Sequence, residues 1–162
     1  MSMMALSLFC EDIRQELAGT ETLVGVMSDQ INIIGKPALI AKIGIYTKIY
    51  FPFDDVPESI TIDVYGVDGN IIISNNCDKN VLAESINSAK SANSDRVGMK
   101  VLFVIGGIQI SNSGEMKVVI RINNVHLVSG SLVINLVEIP NPVISTVGQP
   151  PSEQSPSAAP VS

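Results

Sequence analysis

Apolar and polar residues alternate with a period of two along most of the chain, and the alternation is clearest over Leu39–Phe51. Successive side chains of a β-strand point to opposite faces, so this pattern predicts a long strand with one buried and one exposed face. The buried side is expected to carry Leu39, Ala41, Ile43, Ile45, Thr47, Ile49 and Phe51. The exposed side is expected to carry Lys42, Gly44, Tyr46, Lys48 and Tyr50.

The same pattern recurs in shorter segments on both sides of this strand. Short turns between such segments favour antiparallel pairing, and the expected fold is an all-β, antiparallel β-sandwich (Ig-like or C2-like, Greek-key) of about eight strands. A barrel is the second choice. Asp68-Gly69 predicts a hairpin with a type I′ turn, and Gly106-Gly107 predicts a bulge. The further strands are expected at Met4–Cys10, Thr22–Met27, Gln30–Ile34, Ser59–Tyr65, Asn70–Ser74, Val97–Ile110, Glu115–Ile122 and Ser131–Ile139.

Two segments break the alternation. Residues 75–95 are rich in Asn, Ser, Asp and Lys, and the spacing of their apolar residues is compatible with a short surface helix. From Pro140 onward, six prolines stand among Ser, Gln, Ala and Val. Such a composition cannot bury enough apolar surface to offset chain entropy. We therefore expect a β-sandwich domain over 1–139 and a Pro/Ser-rich disordered tail over 140–162.

Composition narrows the class of protein. Ile and Val together make 40 of 162 residues, which agrees with a β-rich core because β-branched side chains fit a pleated surface. The net charge of −6 gives no whole-chain basis for binding nucleic acid or an anionic membrane. Cys10 and Cys77 are the two cysteines; a disulfide between them stays possible, but a sparse pair favours reduced thiols and a cytoplasmic location.

The densest group of charged residues is Cys10–Glu16, which contains Glu11, Asp12 and Arg14. One interpretation is a small binding site in which the Arg14 guanidinium holds a carboxylate of a partner. The other is a surface turn after the first strand. In that turn Arg14 would pair with Glu11, Asp12 or Glu16, and Ile13 would anchor the turn in the core.

This segment also carries a resemblance. Phe9-Cys10-Glu11-Asp12-Ile13-Arg14, followed by Glu16, Gly19 and Leu23-Val24-Gly25-Val26, resembles the opening of a family of small uncharacterised bacterial proteins. In that family a Lys usually follows the first glycine, where this chain has Thr20. The resemblance implies a bacterial cytosolic β-domain of unknown function, and it transfers no catalytic residue.

Other candidates for chemistry are weak. Asp54, Asp55 and Glu58 lie in one predicted loop, where carboxylates could hold Ca²⁺ or Mg²⁺, but without a fixed ligand spacing a solvated loop that limits aggregation is the better explanation. His126 is the single histidine and is interpreted as a structural residue of a strand. No G-x-S-x-G motif supplies a nucleophile, and Ser129 and Ser131 are interpreted as turn serines. No catalytic residue, metal or cofactor is expected.

The favoured function is therefore a non-enzymatic protein-binding or assembly module, with self-association as a further possibility. Tyr46 and Tyr50 share the exposed side of the long strand with Lys42 and Lys48, and aromatic residues are enriched at protein interfaces. Ordinary packing of this second face is an equally good explanation. The alternative function is a metal-dependent binding or hydrolytic domain that uses the acidic loops.

Overall fold

The computed structural model describes residues 3–123 and 125–138. It contains nine strands and one helix within these ranges. In chain order they are β1 Met4–Gln15, β2 Glu21–Val26, β3 Gln30–Ile34, β4 Ala38–Phe51, β5 Ile60–Tyr65, β6 Ile71–Cys77, α1 Lys79–Ser91, β7 Val97–Ile110, β8 Gly114–Ile122 and β9 Val125–Val137. The predicted domain end at Ile139 and the predicted tail over 140–162 lie outside the described residues.

The strands form two sheets that pack face to face, which confirms the predicted β-sandwich. The first sheet has the order β2-β1-β4-β7, and the second has the order β3-β9-β8-β5-β6. Helix α1 connects the edge strand of one sheet, β6, to the edge strand of the other, β7, and contacts both. No helix in the described ranges has the length and apolar character that crossing a membrane requires.

The core lies between the two sheets and consists mainly of β-branched side chains. From β4, Ile43, Ile45 and Ile49 have no exposed surface, and Ile60 and Ile62 of β5 face them from the other sheet. Complete burial of one such side chain contributes roughly 1.5–3 kcal/mol to folding. Part of the high Ile and Val content therefore forms the core of a two-layer fold, whereas other Ile and Val side chains are exposed.

Three hydroxyl groups are buried where β1 approaches β9. The Oγ atom of Ser7 lies 2.8 Å from Thr47 Oγ1 and 2.7 Å from Ser129 Oγ, so one small network joins the two sheets. A Cβ atom on Gly130 would lie 2.5 Å from the Ser7 carbonyl oxygen, so the strands approach closely here. The interpretation of Ser129 as a turn serine is wrong, because β9 begins at Val125 and Ser129 is one of its buried residues.

The antiparallel pattern has one exception. Strand β3 pairs in parallel with β9, from Gln30 beside Val133 to Ile34 beside Val137. Short turns determine the direction of strands that are neighbours in the sequence. They place no such restriction on β3 and β9, which are separated by most of the chain.

In β4 and β7, the two longest strands, the set of side chains that faces the core changes between odd-numbered and even-numbered positions at the same place in the sheet. Ala41 of β4 and Gly107 of β7 are both absent from the pairing, and Gly107 has a φ of 68°. Beyond this point Ile40 is buried and Leu39 is 67% exposed. The prediction that Leu39 and Ala41 face the core is therefore wrong. The register continues unchanged across the irregularity, so a bend of both strands replaces the bulge expected in β7 alone.

The hairpin predicted at Asp68-Gly69 is present between β5 and β6, but its turn differs from the expected type. Gly69 has a φ of 78°, whereas Asp68 is not among the residues with positive φ. The N–H of Gly69 donates to the carbonyl of Gly66, and the N–H of Gly66 donates to the carbonyl of Asn70. A longer loop with a single left-handed glycine therefore replaces the two-residue type I′ turn.

The short helix expected within residues 75–95 is confirmed as α1. Its N-cap is Asp78, whose side chain accepts hydrogen bonds from the backbone N–H groups of Asn80 and Val81. A carboxylate at this position satisfies donors that the first turn leaves without a partner. Leu82 and Ala89 are buried and anchor the helix to the edge of the sandwich.

Candidate functional site

The outward side of the four-stranded sheet carries both groups of residues that the sequence singled out. In β4 the side chains of Tyr46, Lys48 and Tyr50 point away from the core, because their neighbours Thr47 and Ile49 are buried. Residues directly opposite on adjacent strands share a face. The rows that cross the sheet are therefore Met4–Tyr50–Gly98, Leu6–Lys48–Lys100 and Leu8–Tyr46–Leu102.

This surface, which we call the outer face, is unusually apolar for a side that points to solvent. Met4 is 58% exposed and Leu6 is 57% exposed, both on β1. Val104 on β7 and Val26 on β2 are each 54% exposed. These side chains surround the half-buried Tyr46, Tyr50, Leu8 and Leu102. Contiguous exposed apolar surface of this kind marks interaction sites more often than isolated exposed aliphatic residues do.

The hairpin of β1 and β2 bends over the outer face. Glu11 of β1 and Gly25 of β2 are both absent from the pairing, and Gly25 has a φ of 61°. A Cβ atom on Gly25 would lie 2.6 Å from the Glu11 Cδ atom, so the Glu11 side chain occupies the space beside the glycine. We call residues 11–25, beyond this bend, the hairpin arm.

Three contacts hold the arm against the sheet. The Lys42 ammonium of β4 lies 2.7 Å from Asp12 Oδ1. A Cβ atom on Gly44 would be 2.8 Å from Ile13 Cγ1, so the Ile13 side chain lies directly over this glycine. Near the tip of the arm, the Glu21 carboxylate contacts the Lys100 ammonium on β7, the far edge of the sheet. The arm thus crosses β4 and covers part of the outer face.

The hydrogen bond from Lys42 holds the pKa of Asp12 below its usual value, and the positive charge of Lys42 acts in the same direction. The Nε atom of Arg14 lies 3.5 Å from Asp12 Oδ2, as one of the predicted pairings required. Asp12 is therefore ionised at neutral pH and is the anchor of the arm.

The structure brings the predicted site residues together in a way the sequence did not indicate. One of the two interpretations placed Glu11, Asp12 and Arg14 in a surface turn, but all three belong to strand β1. The turn interpretation is wrong because β1 continues past Cys10 and pairs with β2 as far as Gln15. The hairpin arm lies on the same face of the sheet as Tyr46 and Tyr50. The Asp12–Lys42 ion pair connects the arm to β4, the strand that carries both tyrosines.

Sequence reasoning missed the aliphatic part of this surface. Leu6 and Leu8 follow the same alternation as Ser7 and Phe9, so the pattern alone does not tell which side of β1 faces the core. No signal in the sequence identifies the outer face, because the burial of the polar Ser7 depends on its tertiary partners Thr47 and Ser129. A hydroxyl on the inward side leaves two leucines on the outward side of the strand.

A cavity of about 290 Å³ adjoins the outer face where α1 approaches β4 and β7. Tyr50 lies on its wall, with the Lys48 ammonium 5.1 Å and the Arg96 guanidinium 6.0 Å from the centre of the ring. Both distances are within the range of cation–π attraction. Lys100 also lines the cavity, together with the serines of the neighbouring helix and loop, Ser85, Ser88 and Ser94.

The opposite sheet carries a second polar group on its outward side. Asp63 of β5 has no exposed surface, and its Oδ1 accepts a hydrogen bond of 2.6 Å from Ser74 Oγ. The Nε atom of Arg121 lies 2.7 Å from Asp63 Oδ2. His126 is exposed, and its cross-strand neighbour is Arg121. The strand position of His126 agrees with the prediction, but no pattern in the sequence indicated the Asp63–Arg121 pair.

Neither cysteine has the environment of a nucleophile. Cys10 and Cys77 are both buried, and each is a free thiol. Burial raises the pKa of Cys10, and the nearby negative charge of Asp12 adds to the effect. Burial also raises the pKa of Cys77. Both side chains therefore stay protonated at neutral pH, which lowers their reactivity.

The acidic loop does not form a cluster of metal ligands. Asp54, Asp55 and Glu58 are exposed, and Glu58 lies 3.7 Å from the Lys79 ammonium. Within residues 3–123 and 125–138, no three His, Cys, Asp or Glu side chains come together in an arrangement that could hold a metal ion.

Comparison with known proteins places these features in a family without assigning them a role. No curated protein matches the chain. The model of a family of unknown function, DUF6941, matches residues 5–135. This range includes the outer face from Leu6 onward, the whole arm and every residue that lines the cavity beside α1. The chain belongs to DUF6941, a family of unknown function.

Proposed function

We propose that this domain is a non-enzymatic module that binds another protein through its outer face. The observation that carries the proposal is the set of exposed aliphatic residues on three of the four strands of this sheet: Val26 of β2, Met4 and Leu6 of β1, and Val104 of β7. Water around such a surface is released when a partner covers it, which favours association. The half-buried tyrosines between them supply rigid contact area at a small cost in side-chain entropy.

The composition of the outer face favours a partner different from this chain. A two-fold dimer through this face would bring the Lys48–Lys100 row of one copy towards the same row of the other copy. Like charges in such a position oppose association, and the net charge of −6 on each copy adds to the repulsion. A partner with aliphatic side chains and a few carboxylates fits the face better.

No observation favours the alternative of a metal-dependent or hydrolytic domain. The acidic loop is solvated, and its Glu58 already pairs with a lysine. We propose that these carboxylates limit association at the end of the sandwich. The bacterial cytoplasm, implied by the resemblance and by the free thiols, is the proposed location.

The proposal is tested by capturing the partner from the native cell with the full chain and comparing two double variants. Leu6→Ser with Val104→Ser removes the apolar centre of the outer face. Ile34→Ser with Val137→Ser is the matched control, because these residues are equally aliphatic, also exposed and paired across β3 and β9 of the other sheet. Loss of the captured protein with the first pair alone supports the proposal.

Capture that is equally strong with both double variants contradicts it. Sedimentation of the purified chain tests the other candidate partner of the outer face, a second copy of this chain. A concentration-dependent dimer that Leu6→Ser with Val104→Ser abolishes would mean that the outer face binds a second copy of this chain.

A further inference from the structure

The cavity beside α1 has the composition of a site for a negatively charged oxygen group. We infer that it receives a carboxylate or phosphate group carried by the partner protein. The assignment to a protein partner rests on the proposed function, whereas the preference for an oxyanion rests on the cavity itself. Its volume of about 290 Å³ is large enough for one such group.

Cations line the cavity although the chain as a whole is acidic. Lys48, Arg96 and Lys100 supply three of the ten basic residues of the chain. Two of them, Lys48 and Arg96, lie over the Tyr50 ring. At physiological ionic strength the Debye length is about 8 Å, so the distant negative charges of the chain are largely screened from a ligand here.

Two of these cations keep free hydrogen-bond donors. Arg96 uses Nε and Nη2 to bind Asp95, at 3.1 and 3.0 Å, which leaves its Nη1 group for a ligand. Among the described residues, Lys48 has no carboxylate within ion-pair distance; its contact is the Tyr50 ring. Because both residues line the same cavity, their free donors are available to a ligand bound there.

Hydroxyl groups complete the wall. Ser85 and Ser88 face the cavity from α1, and Ser94 faces it from the loop that follows the helix. The hydroxyl groups of Ser85 and Ser94 already donate to the backbone carbonyls of Val81 and Arg96, at 3.4 and 2.8 Å, so the Ser88 hydroxyl is the one that can donate to a carboxylate or phosphate oxygen without losing such a bond. The ammonium, guanidinium and hydroxyl groups of this wall offer several donors to an oxyanion, beside the apolar side chains of Ala89, Ala92 and Met99.

A carboxylate of the chain itself already contacts one residue of the cavity wall. The Glu21 carboxylate, at the tip of the hairpin arm, contacts Lys100, one of the lining residues. Glu21 pairs with one of the three cations of the cavity and therefore competes with an oxyanion of the partner for Lys100. A carboxylate or phosphate of the partner would replace Glu21 at Lys100 and add contacts with Lys48 and Arg96.

The test uses the full chain, with inorganic phosphate and succinate as separate probes at constant ionic strength and with chloride as the reference anion. We expect amide chemical shifts of residues 48–50 and 96–100 to change and to saturate. Lys48→Gln and Arg96→Gln should each abolish the change. Lys117→Gln, which removes an equal charge on the other sheet, should leave it intact. Saturation by phosphate alone or by succinate alone identifies the preferred group.

The decisive variant is Glu21→Gln, which removes the internal competitor without touching the cavity wall. Its affinity for the probe should rise about two- to fivefold, the range expected from loss of one exposed ion pair. Equal effects of chloride, shifts spread over the whole chain, or an unchanged affinity in Glu21→Gln would overturn the inference. If these failures occur while the outer-face variants still lose the captured protein, the proposed function stands without this site.

Discussion

The Nε atom of Arg121 lies 2.7 Å from Oδ2 of Asp63, a carboxylate with no exposed surface in the middle of strand β5. At this distance the two groups form an ion pair, yet the N–H bond is not directed at the oxygen, so neither atom has a hydrogen bond. The charge of Arg121 and the hydrogen bond from Ser74 are thus the interactions that compensate the burial of the Asp63 carboxylate.

The two members of this pair should not be equally costly to remove. The Arg121 side chain is 42% exposed and can turn to water, whereas Asp63 cannot. We expect Arg121→Met to lower the free energy of unfolding by about 3 kcal/mol, since it leaves a buried charge without its partner. Asp63→Asn should cost about 1–2 kcal/mol. Urea unfolding of both variants checks the order, and a larger loss in Asp63→Asn would contradict it.

The tyrosines of the outer face are expected to serve binding more than folding. Tyr46→Ala with Tyr50→Ala should leave the midpoint of thermal unfolding within a few degrees of the wild type and weaken retention of the partner, since both side chains are half-exposed. Tyr65→Ala, on the outward side of the other sheet, is the control and should retain the partner. Unfolding of the double variant would show that the tyrosines are structural.

The ion pair between Asp12 and Lys42 predicts a pH dependence. Because the pKa of Asp12 is lowered in the folded chain, its contribution is present above the unfolded value of about 3.9 and is lost as the pH falls through the folded value. Lys42→Gln should therefore be less stable than the wild type at pH 7. The difference should fade below about pH 4. A difference that is constant between pH 7 and pH 3 would exclude this origin.

The position of the hairpin arm depends on the absence of a side chain at Gly44. A Cβ atom there would lie 2.8 Å from both Cys10 Sγ and Ile13 Cγ1, so Gly44→Ala should displace the arm and cost about 1–3 kcal/mol. Gly106→Ala is the control, because its Cβ would meet nothing closer than 3.5 Å. Hydrogen exchange of residues 11–25 should accelerate in Gly44→Ala alone. Equal exchange in both variants would mean that Ile13 does not anchor the arm.

The buried thiols should be protected from modification. Since burial raises the pKa of both Cys10 and Cys77, neither should react with a thiol-reactive dye at pH 7.5 until the chain unfolds. Cys10→Ser and Cys77→Ser identify which thiol reacts when urea is added. Rapid reaction of native protein at either cysteine would contradict the buried positions, and a failure to label unfolded protein would reveal a disulfide.

Most of the secondary structure follows from local patterns in the sequence. Gln30–Ile34 and Val97–Ile110 are strands with the predicted bounds, and the helix lies inside the expected segment. The alternation of apolar and polar residues is a property of each strand by itself, so it can be recognised in the sequence without knowledge of tertiary contacts. The same patterns also pointed to a two-sheet fold, because short turns and the lack of helical crossovers leave few other ways to bury so many β-branched side chains.

The candidate site depended much more on tertiary structure. Alternation in β1 does not say which of Leu6 and Ser7 is buried. Ser7 is the buried one because its hydroxyl group forms hydrogen bonds with the buried hydroxyl groups of Thr47 and Ser129. The bend at Glu11 and Gly25 then carries Asp12 to Lys42. No spacing in the sequence relates these two residues, because they meet across two strands of one sheet.

Alternation of side chains determines that this chain forms strands, and the content of Ile and Val determines that their buried faces form a sandwich core. Only the tertiary structure determined which charged side chains pair with each other. Glu21 meets Lys100 and Asp63 meets Arg121 because folding brings distant segments together. Local preferences act over a few residues, whereas an ion pair depends on the position of both backbones, and only the packed sheets define those positions.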